Sequence, residues 1–187
     1  MVIHCCFVLF IFSKITLSKC KIIMKTEAKI GFGGGCHWCT EGVFQSLKGV
    51  LHVDQGWISS TGKNDSLSEA VIVTYEPNMI PLHALIEIHL RTHASTSNHS
   101  MRNKYRSAVY TFEKDEKTTV RSILNNLQKG FIKPLITQVL DFNQFKRNKE
   151  EQLNYYQTRP EAAFCKTYID PKIKQLLKTH KQYLSIS

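Results

Sequence analysis

The 187-residue sequence has little that would place it in a membrane or a fibre. No apolar run reaches the roughly 20 residues that a membrane-spanning helix needs, and neither internal repeats nor low-complexity segments are present. Apolar residues make up 42% of the chain and charged residues 21%, and both values are typical of globular domains. We therefore expect a single folded domain that does not enter a membrane.

The sequence also lacks the signatures of proteins that bind nucleic acids or phosphates. Its net charge of +10 would suit an anionic partner, but the basic residues are scattered, and neither a zinc finger nor an RNA-binding aromatic motif accompanies them. The glycine run at residues 33–35 is not followed by the Lys-Ser or Lys-Thr pair of a phosphate-binding loop, and its glycines are not spaced as in a dinucleotide fingerprint. We predict no nucleic-acid partner and no bound cofactor.

The first 23 residues differ in character from the rest of the chain. Their apolar stretch from Cys5 to Phe12 is as short as that of a signal peptide, but no basic residue precedes it and no clear cleavage site follows it. Met24 opens a segment that resembles the start of a cytosolic protein. Translation from Met24, an export signal and a folded N-terminal element all stay open. We predict an extension over residues 1–23, one domain over residues 24–187, and a cytoplasmic location, with export as the alternative.

The order of strands and helices predicts an α+β fold. Strands are predicted over residues 28–32, 50–59, 69–75, 105–112 and 132–142, and helices over residues 36–47, 82–92 and 113–128. The first six elements run strand, helix, strand, strand, helix, strand, which is the split βαβ order of ferredoxin-like folds. We therefore expect a two-layer α/β sandwich with a mixed sheet and helices packed on it.

The candidate chemistry is concentrated just after the glycine run. Because the glycines allow a tight turn into a helix, Cys36 should lie at the helix N-terminus, where unpaired N–H groups favour the thiolate. Cys36 is therefore the predicted nucleophile. Cys36 and Cys39 form a C-x-x-C pair without a second such pair or a histidine pair to complete a zinc site, so we predict no metal. A thioredoxin-type dithiol stays an alternative, and Glu41 is expected to complement the helix dipole.

Four stretches together resemble one enzyme family. Residues 33–41 (GGGCHWCTE) resemble the active-site motif of the A-type peptide methionine sulfoxide reductases, in which glycine, cysteine, phenylalanine and tryptophan are usual. Residues 68–71 (SEAV) resemble the family's glutamate-bearing strand, and residues 105–110 (YRSAVY) resemble its tyrosine-arginine-serine strand. Residues 164–172 (FCKTYIDPK) resemble the cysteine-bearing tail of several members. The resemblance thus extends in chain order over residues 28–175.

The resemblance implies a mechanism for reducing methionine S-sulfoxide, either free or in proteins. Cys36 would attack the sulfoxide sulfur, while Glu69 protonates the oxygen and Tyr105 assists with a hydrogen bond. A carboxylic acid in a partly apolar pocket can hold such a proton near neutral pH. Methionine would leave, and Cys36 would become a sulfenic acid. We expect a monomer that thioredoxin or an equivalent dithiol restores.

The resolving thiol, which would convert the sulfenic acid into a disulfide, is not decided by the sequence. Cys165 matches the family's tail cysteine and is favoured. Cys39 is one helical turn from Cys36, although a disulfide at a helix start is strained unless the turn loosens. An external thiol is the third possibility.

The predicted substrate-binding residues are His37, Trp38 and Trp57, and two of them differ from the residues that are usual in the family. Trp38 would form an apolar wall for the substrate methyl group. His37 replaces the usual phenylalanine, and Trp57 replaces a tyrosine that helps to hold the sulfoxide oxygen. The loop at residues 96–100 also lacks the family's aspartate. These changes suggest a diverged branch with altered specificity. A non-catalytic or redox-sensing relic of the fold that uses Cys36 is the alternative.

Overall fold

The computed structural model describes residues 26–185, and the predicted extension over residues 1–23 lies outside them. The strands are β1 (Ala28–Gly33), β2 (Val50–Ser59), β3 (Ser68–Tyr75), β4 (Ala108–Thr111), β5 (Gln138–Asp141) and β6 (Gln144–Arg147). The α-helices are α1 (His37–Gln45), α2 (Leu82–Thr92), α3 (Lys114–Leu127), α4 (Tyr155–Thr158) and α5 (Asp170–Thr179). A π-helical turn, Cys165–Ile169, leads into α5. No helix of the described part is both long and apolar enough to cross a membrane.

All six strands belong to one sheet in the order β5-β4-β1-β3-β2-β6. Its four central strands pair antiparallel, with α1 connecting β1 to β2 and α2 connecting β3 to β4. This is the predicted ferredoxin-like arrangement. At the edges, β5 runs parallel to β4 and β6 runs antiparallel to β2. The sheet is therefore mixed, and the predicted α+β class is confirmed.

The strand predicted over residues 105–112 is shorter than expected. It begins only at Ala108, because the chain before it is held in another way. The backbone N–H of Arg106 donates to the side chain of Ser68 at 2.8 Å instead of to a neighbouring strand. Tyr105, a predicted site residue, consequently lies in a loop that is fixed against the start of β3.

The strand predicted over residues 132–142 is also wrong in its extent. Ile132 is fully exposed, and Pro134 has no N–H to give to a strand ladder, so pairing begins only at Gln138. The strand β6 was not predicted at all. Its sequence, QFKR, has a single apolar residue, Phe145, and offers almost no pattern to recognise.

The main core lies between the sheet and the helices on one of its faces. Phe32 of β1 and Phe44 of α1 are completely buried and stack with ring centroids 4.7 Å apart. Leu85 of α2, Val120 of α3 and Leu176 of α5 belong to the same cluster. Burying each large apolar side chain contributes about 1.5–3 kcal/mol. This shared packing fixes α1, and with it the cysteine that precedes α1, relative to β3.

Candidate active site

Cys36 immediately precedes α1, at the end of the glycine turn. Gly34 has a φ of +151°, and a Cβ atom there would come within 2.4 Å of the ring of His93. The His93 ring is itself fixed, because Nδ1 donates to the backbone carbonyl of His89 at 2.6 Å and Nε2 lies 2.8 Å from the Ser107 hydroxyl. Burial lowers the pKa of His93 to about 4, so this ring is neutral at physiological pH. The turn into α1 is thus shaped by a glycine and a buried neutral histidine.

The half-buried thiol of Cys36 has a lowered pKa of about 7. The main cause is a hydrogen bond from the Cys39 thiol, and the backbone N–H groups of Cys39 and Trp38 act in the same direction. Burial and the negative charge of Glu69 oppose the effect. Cys36 is therefore more often a thiolate at neutral pH than an ordinary cysteine, and the thiolate is the nucleophilic form.

Two further thiols lie next to Cys36. Cys39 and Cys165 are buried and pack with Ile169 and Ile173, and Cys36 contacts this cluster. The hydrogen bond to Cys36, together with burial, raises the pKa of Cys39, and burial raises the pKa of Cys165. Both therefore remain protonated thiols at neutral pH. The fold brings the nucleophile and both predicted resolving cysteines together.

Glu69 lies near the start of β3 and is only 4% exposed. Its Oε2 accepts a hydrogen bond from the backbone N–H of His37 at 3.1 Å and lies 3.2 Å from His37 Nδ1. Its Oε1 lies 3.2 Å from Nζ of Lys104. These contacts direct the carboxyl group towards the residue that follows Cys36. The predicted acid and the predicted nucleophile thus share one site.

The imidazole of His37 lies between two indoles. Its ring centroid is 6.1 Å from that of Trp38 and 6.1 Å from that of Trp57, in edge-to-face contacts. Burial lowers the pKa of His37, although the charge of Glu69 opposes this effect. His37 is therefore mainly neutral at neutral pH. All three predicted substrate-binding residues line the same region as Glu69.

Both indole N–H groups are already used within the protein. Trp57 Nε1 donates to Asn148 Oδ1 at 3.0 Å, and Trp38 Nε1 donates to the backbone carbonyl of Gln152 at 2.9 Å. An indole has only one donor. The two tryptophans can therefore offer a substrate their apolar surface but no hydrogen bond.

The segment after β6 completes the site, and its residues 148–163 were not recognised in the sequence, whereas Phe164 begins the stretch that resembles the family's tail. Trp38 stacks on Tyr155, with centroids 4.4 Å apart and planes 15° apart, and meets Phe164 edge to face at 5.5 Å. Asn148 lies within 3.3 Å of His37. Asn148 and Tyr155 have no motif of their own, since such side chains in an irregular segment also occur in ordinary cores. Only the Trp38 motif could have drawn attention to them.

Glu41 differs from its expected role. It lies beyond the first turn of α1, and its buried carboxylate accepts hydrogen bonds from the backbone N–H of Asn154 at 3.0 Å, from that of Tyr155 at 3.3 Å, and from Gln55 Nε2 at 2.8 Å. Burial raises its pKa. Glu41 thus connects α1 to the start of α4 through hydrogen bonds and does not complement the helix dipole.

Tyr105 and Lys104 lie beside Glu69 at the edge of the site. Nζ of Lys104 is 5.1 Å from the ring centroid of Tyr105. A hydrogen bond with the Tyr105 hydroxyl and the neighbouring Glu69 carboxylate raise the pKa of Lys104. Lys104 was missed by the sequence analysis, because a lysine in a polar loop is usually a solvated surface charge. Within residues 26–185, no three His, Cys, Asp or Glu side chains are grouped as they would be around a metal ion.

The geometry can be compared with known proteins. A family model described as peptide methionine sulfoxide reductase matches residues 28–184. The chain belongs to this family. It is 32% identical to the peptide methionine sulfoxide reductase MsrA of Deinococcus radiodurans over 161 residues, which cover 78% of each chain. It is also 32% identical to the MsrA of a Psychrobacter species over 169 residues, which cover 82% of this chain and 96% of the relative.

A solved structure agrees with the fold. The structure of reduced Mxr1 from Saccharomyces cerevisiae superimposes with a TM-score of 0.65 at 20% identity, covering 76% of this chain and 91% of the yeast chain. The predicted enzyme class is therefore confirmed by the family, and the predicted fold by the superposition. The protein is an oxidoreductase that reduces methionine sulfoxide.

Proposed function

We propose that this peptide methionine sulfoxide reductase acts on the S-epimer, with Cys36 as nucleophile, Glu69 as proton donor and Tyr105 as a hydrogen-bond donor to the oxygen. The observation that carries this assignment is that Cys36, at the start of α1, lies next to His37, whose backbone N–H donates to the buried carboxyl of Glu69. The apolar faces of Trp38 and Trp57 and the ring of His37 would surround the methyl group.

The reduction of the sulfoxide needs no outside reductant, because Cys36 supplies the two electrons. The Cys36 thiolate attacks the sulfoxide sulfur, and the sulfoxide oxygen takes a proton that Glu69 has accepted from solvent. The sulfur–oxygen bond then breaks and the protonated oxygen leaves as hydroxide, while the two sulfurs stay bonded. Hydroxide next attacks the Cys36 sulfur, the bond between the two sulfurs breaks, methionine leaves with that electron pair, and Cys36 is left as a sulfenic acid. A resolving thiol next displaces water from the sulfenic acid, which forms a disulfide.

Cys165 and Cys39 are the two proposed resolving thiols. The resemblance favours Cys165, which is completely buried in the π-helical turn. The hydrogen bond between the thiols supports Cys39 as the alternative. The two make different predictions, since replacing the true resolving cysteine by serine should leave the sulfenic acid trapped, whereas replacing the other should not.

A dithiol must reduce the disulfide for a second turnover, and we propose thioredoxin or an equivalent protein. Support comes from yeast Mxr1, which has been solved in complex with Trx2 and superimposes on this chain with a TM-score of 0.55. We further propose that residues 24–187 act as a monomer without a bound cofactor. A cytoplasmic location is also proposed, because thiol-dependent turnover suits a reducing compartment.

Single-turnover reduction of the two epimers of a methionine sulfoxide peptide tests the proposal. Fully reduced protein starting at Met24 is mixed with each epimer without added reductant, and thiols are counted before and after. We expect about one mole of product per mole of protein from the S-epimer, with the loss of two thiols. If neither epimer reacts while Cys36 is still oxidised by peroxide, the redox-sensing alternative replaces the proposal.

A further inference from the structure

Lys104 is a charged residue of the site to which the proposed mechanism gives no task. Its ammonium lies 3.2 Å from Glu69 Oε1, on the side of the carboxylate opposite to His37. The side chain of Lys104 is 46% exposed, whereas that of Glu69 is 5% exposed. The ammonium therefore stands between the buried carboxylate and the solvent, where an entering substrate would meet it.

The backbone holds Lys104 firmly at this position. Its carbonyl accepts one hydrogen bond from the backbone N–H of Glu69 and one from the hydroxyl of Ser68, both at 2.9 Å. The same hydroxyl accepts from the N–H of Arg106 at 2.8 Å. Lys104 is thus attached directly to the strand that carries Glu69. The fold therefore places the backbone of Lys104 beside Glu69, and the ion pair places its ammonium at the carboxylate.

The proposed reaction needs hydrogen-bond donors around the sulfoxide oxygen. Negative charge grows on this oxygen as the thiolate attacks the sulfur, and donors placed there stabilise the transition state. Trp57 has no donor left, because its only N–H is given to Asn148. The backbone N–H of His37 is given to Glu69.

Lys104 has a donor to spare. An ammonium carries three N–H groups, and the Lys104 ammonium contacts Oε1 of Glu69 at 3.2 Å and the ring of Tyr105, whose centroid is 5.1 Å away. One N–H is left for a substrate atom, and the positive charge adds to its effect. The ionisable groups that face this ammonium are Glu69, Tyr105 and, across the carboxylate, His37.

We propose that Lys104 is a further catalytic residue, which donates a hydrogen bond to the sulfoxide oxygen and stabilises the negative charge that develops there. This inference rests on the proposed function, in which Cys36 attacks and Glu69 supplies the proton. Lys104 would thus donate the hydrogen bond to the sulfoxide oxygen that Trp57 cannot donate, because the indole N–H is bonded to Asn148.

The experiment compares Lys104→Met, Lys104→Arg and the control Lys63→Met with the unaltered chain. Lys63 is an exposed lysine in the turn Gly62–Asn64, so its replacement removes the same charge from the surface. Two rates are measured at pH 7.5 with reduced protein, namely single-turnover reduction of the S-epimer at saturating substrate and alkylation of Cys36 by iodoacetamide. The second rate reports the thiolate without involving a sulfoxide.

We expect Lys104→Met to slow sulfoxide reduction by about 10- to 100-fold, somewhat less than the loss of a fully buried oxyanion donor. Alkylation of Cys36 should change much less than sulfoxide reduction, because the contacts of the ammonium are with Glu69 and Tyr105 and not with the thiol. Lys104→Arg should recover most of the rate, since it keeps the charge and the donors. Lys63→Met should change neither rate.

Two results would overturn the proposal. If Lys104→Met reduces the sulfoxide as fast as Lys63→Met, the ammonium is only a surface charge. If the substitution slows alkylation as much as reduction, Lys104 acts through Cys36 and does not touch the oxygen. Failure of the proposed function itself looks different, because the unaltered chain would then alkylate readily at Cys36 and reduce neither epimer.

Discussion

The site is built from two regions that differ in how they are made. The reacting groups, Cys36 and Glu69, are attached to regular elements, one at the start of α1 and the other near the start of β3. The surrounding wall comes from residues 148–164, where short helical turns alternate with irregular chain. The wall holds Trp38 through stacking on Tyr155 and through a single hydrogen bond to the carbonyl of Gln152.

The regular elements therefore carry the reacting groups, whereas the irregular segment shapes the pocket. A nucleophile and an acid need fixed geometry, which regular elements with a shared core supply. A pocket wall needs surface that fits the substrate, and an irregular segment can supply it at lower cost to the fold. Substitutions in the first region should therefore act mainly on the chemical step, whereas substitutions in the second should act mainly on substrate binding.

Glu69→Gln should have the largest effect and act on the chemical step. Loss of the proton donor is expected to lower the maximal single-turnover rate by about 10²- to 10³-fold. The charge of Glu69 raises the pKa of Cys36, so its removal should lower that pKa and speed alkylation of Cys36 at pH 6.5. A variant slowed in both assays would show that Glu69 acts by positioning Cys36. Glu69 would then not be a reacting group, and the proposed difference between the two regions would not hold for it.

Cys39→Ala should have an intermediate effect, through the hydrogen bond that most lowers the pKa of Cys36. Without this donor the Cys36 pKa should rise from about 7 towards its ordinary value, and the midpoint of a pH titration of iodoacetamide alkylation should follow it. At pH 6.5 a rise of about one unit gives an alkylation rate about tenfold lower.

Cys39→Ser is the matched control for that experiment. Serine cannot form a disulfide, but its hydroxyl still donates a hydrogen bond, so the midpoint should stay near 7. If alanine and serine shift the midpoint equally, the lowered pKa comes from the backbone at the start of α1 and not from the Cys39 thiol.

The fold and the reacting groups could be predicted because their sequence patterns are local. The three predicted helices end within two residues of α1, α2 and α3, since apolar periodicity and glycine stops mark them directly, whereas α4 and α5 were not predicted. The glycine turn before Cys36 predicted a helix start, and the structure has one there. β6 was not predicted, because Phe145 is its only apolar residue and its sequence has no strand pattern. This edge strand forms through its pairing with β2.

The rest of the site depends on contacts between distant residues. Nothing in the local sequence tells that Lys104 pairs with Glu69, 35 positions earlier, or that Asn148 binds the N–H of Trp57. Glu41 was given a local role, at the dipole of its own helix, and instead binds backbone N–H groups more than 100 residues away. These contacts form because the fold leaves polar groups near one another, and a single sequence does not display such pairs.

Tyr155→Ala should have the smallest effect and act on binding. It removes the ring that stacks on Trp38, and an aromatic pair of this kind contributes about 0.5–1.5 kcal/mol beyond its buried area. If the wall serves only shape, KM for the sulfoxide peptide should rise by about 2- to 13-fold, while the maximal single-turnover rate changes less than twofold. Ile132→Ala, which removes a fully exposed apolar side chain outside the wall, is the control and should leave both values unchanged. A large loss in the maximal rate for Tyr155→Ala would mean that the wall also aligns the sulfoxide with Cys36, so that the irregular segment takes part in the chemical step and the two regions act as one.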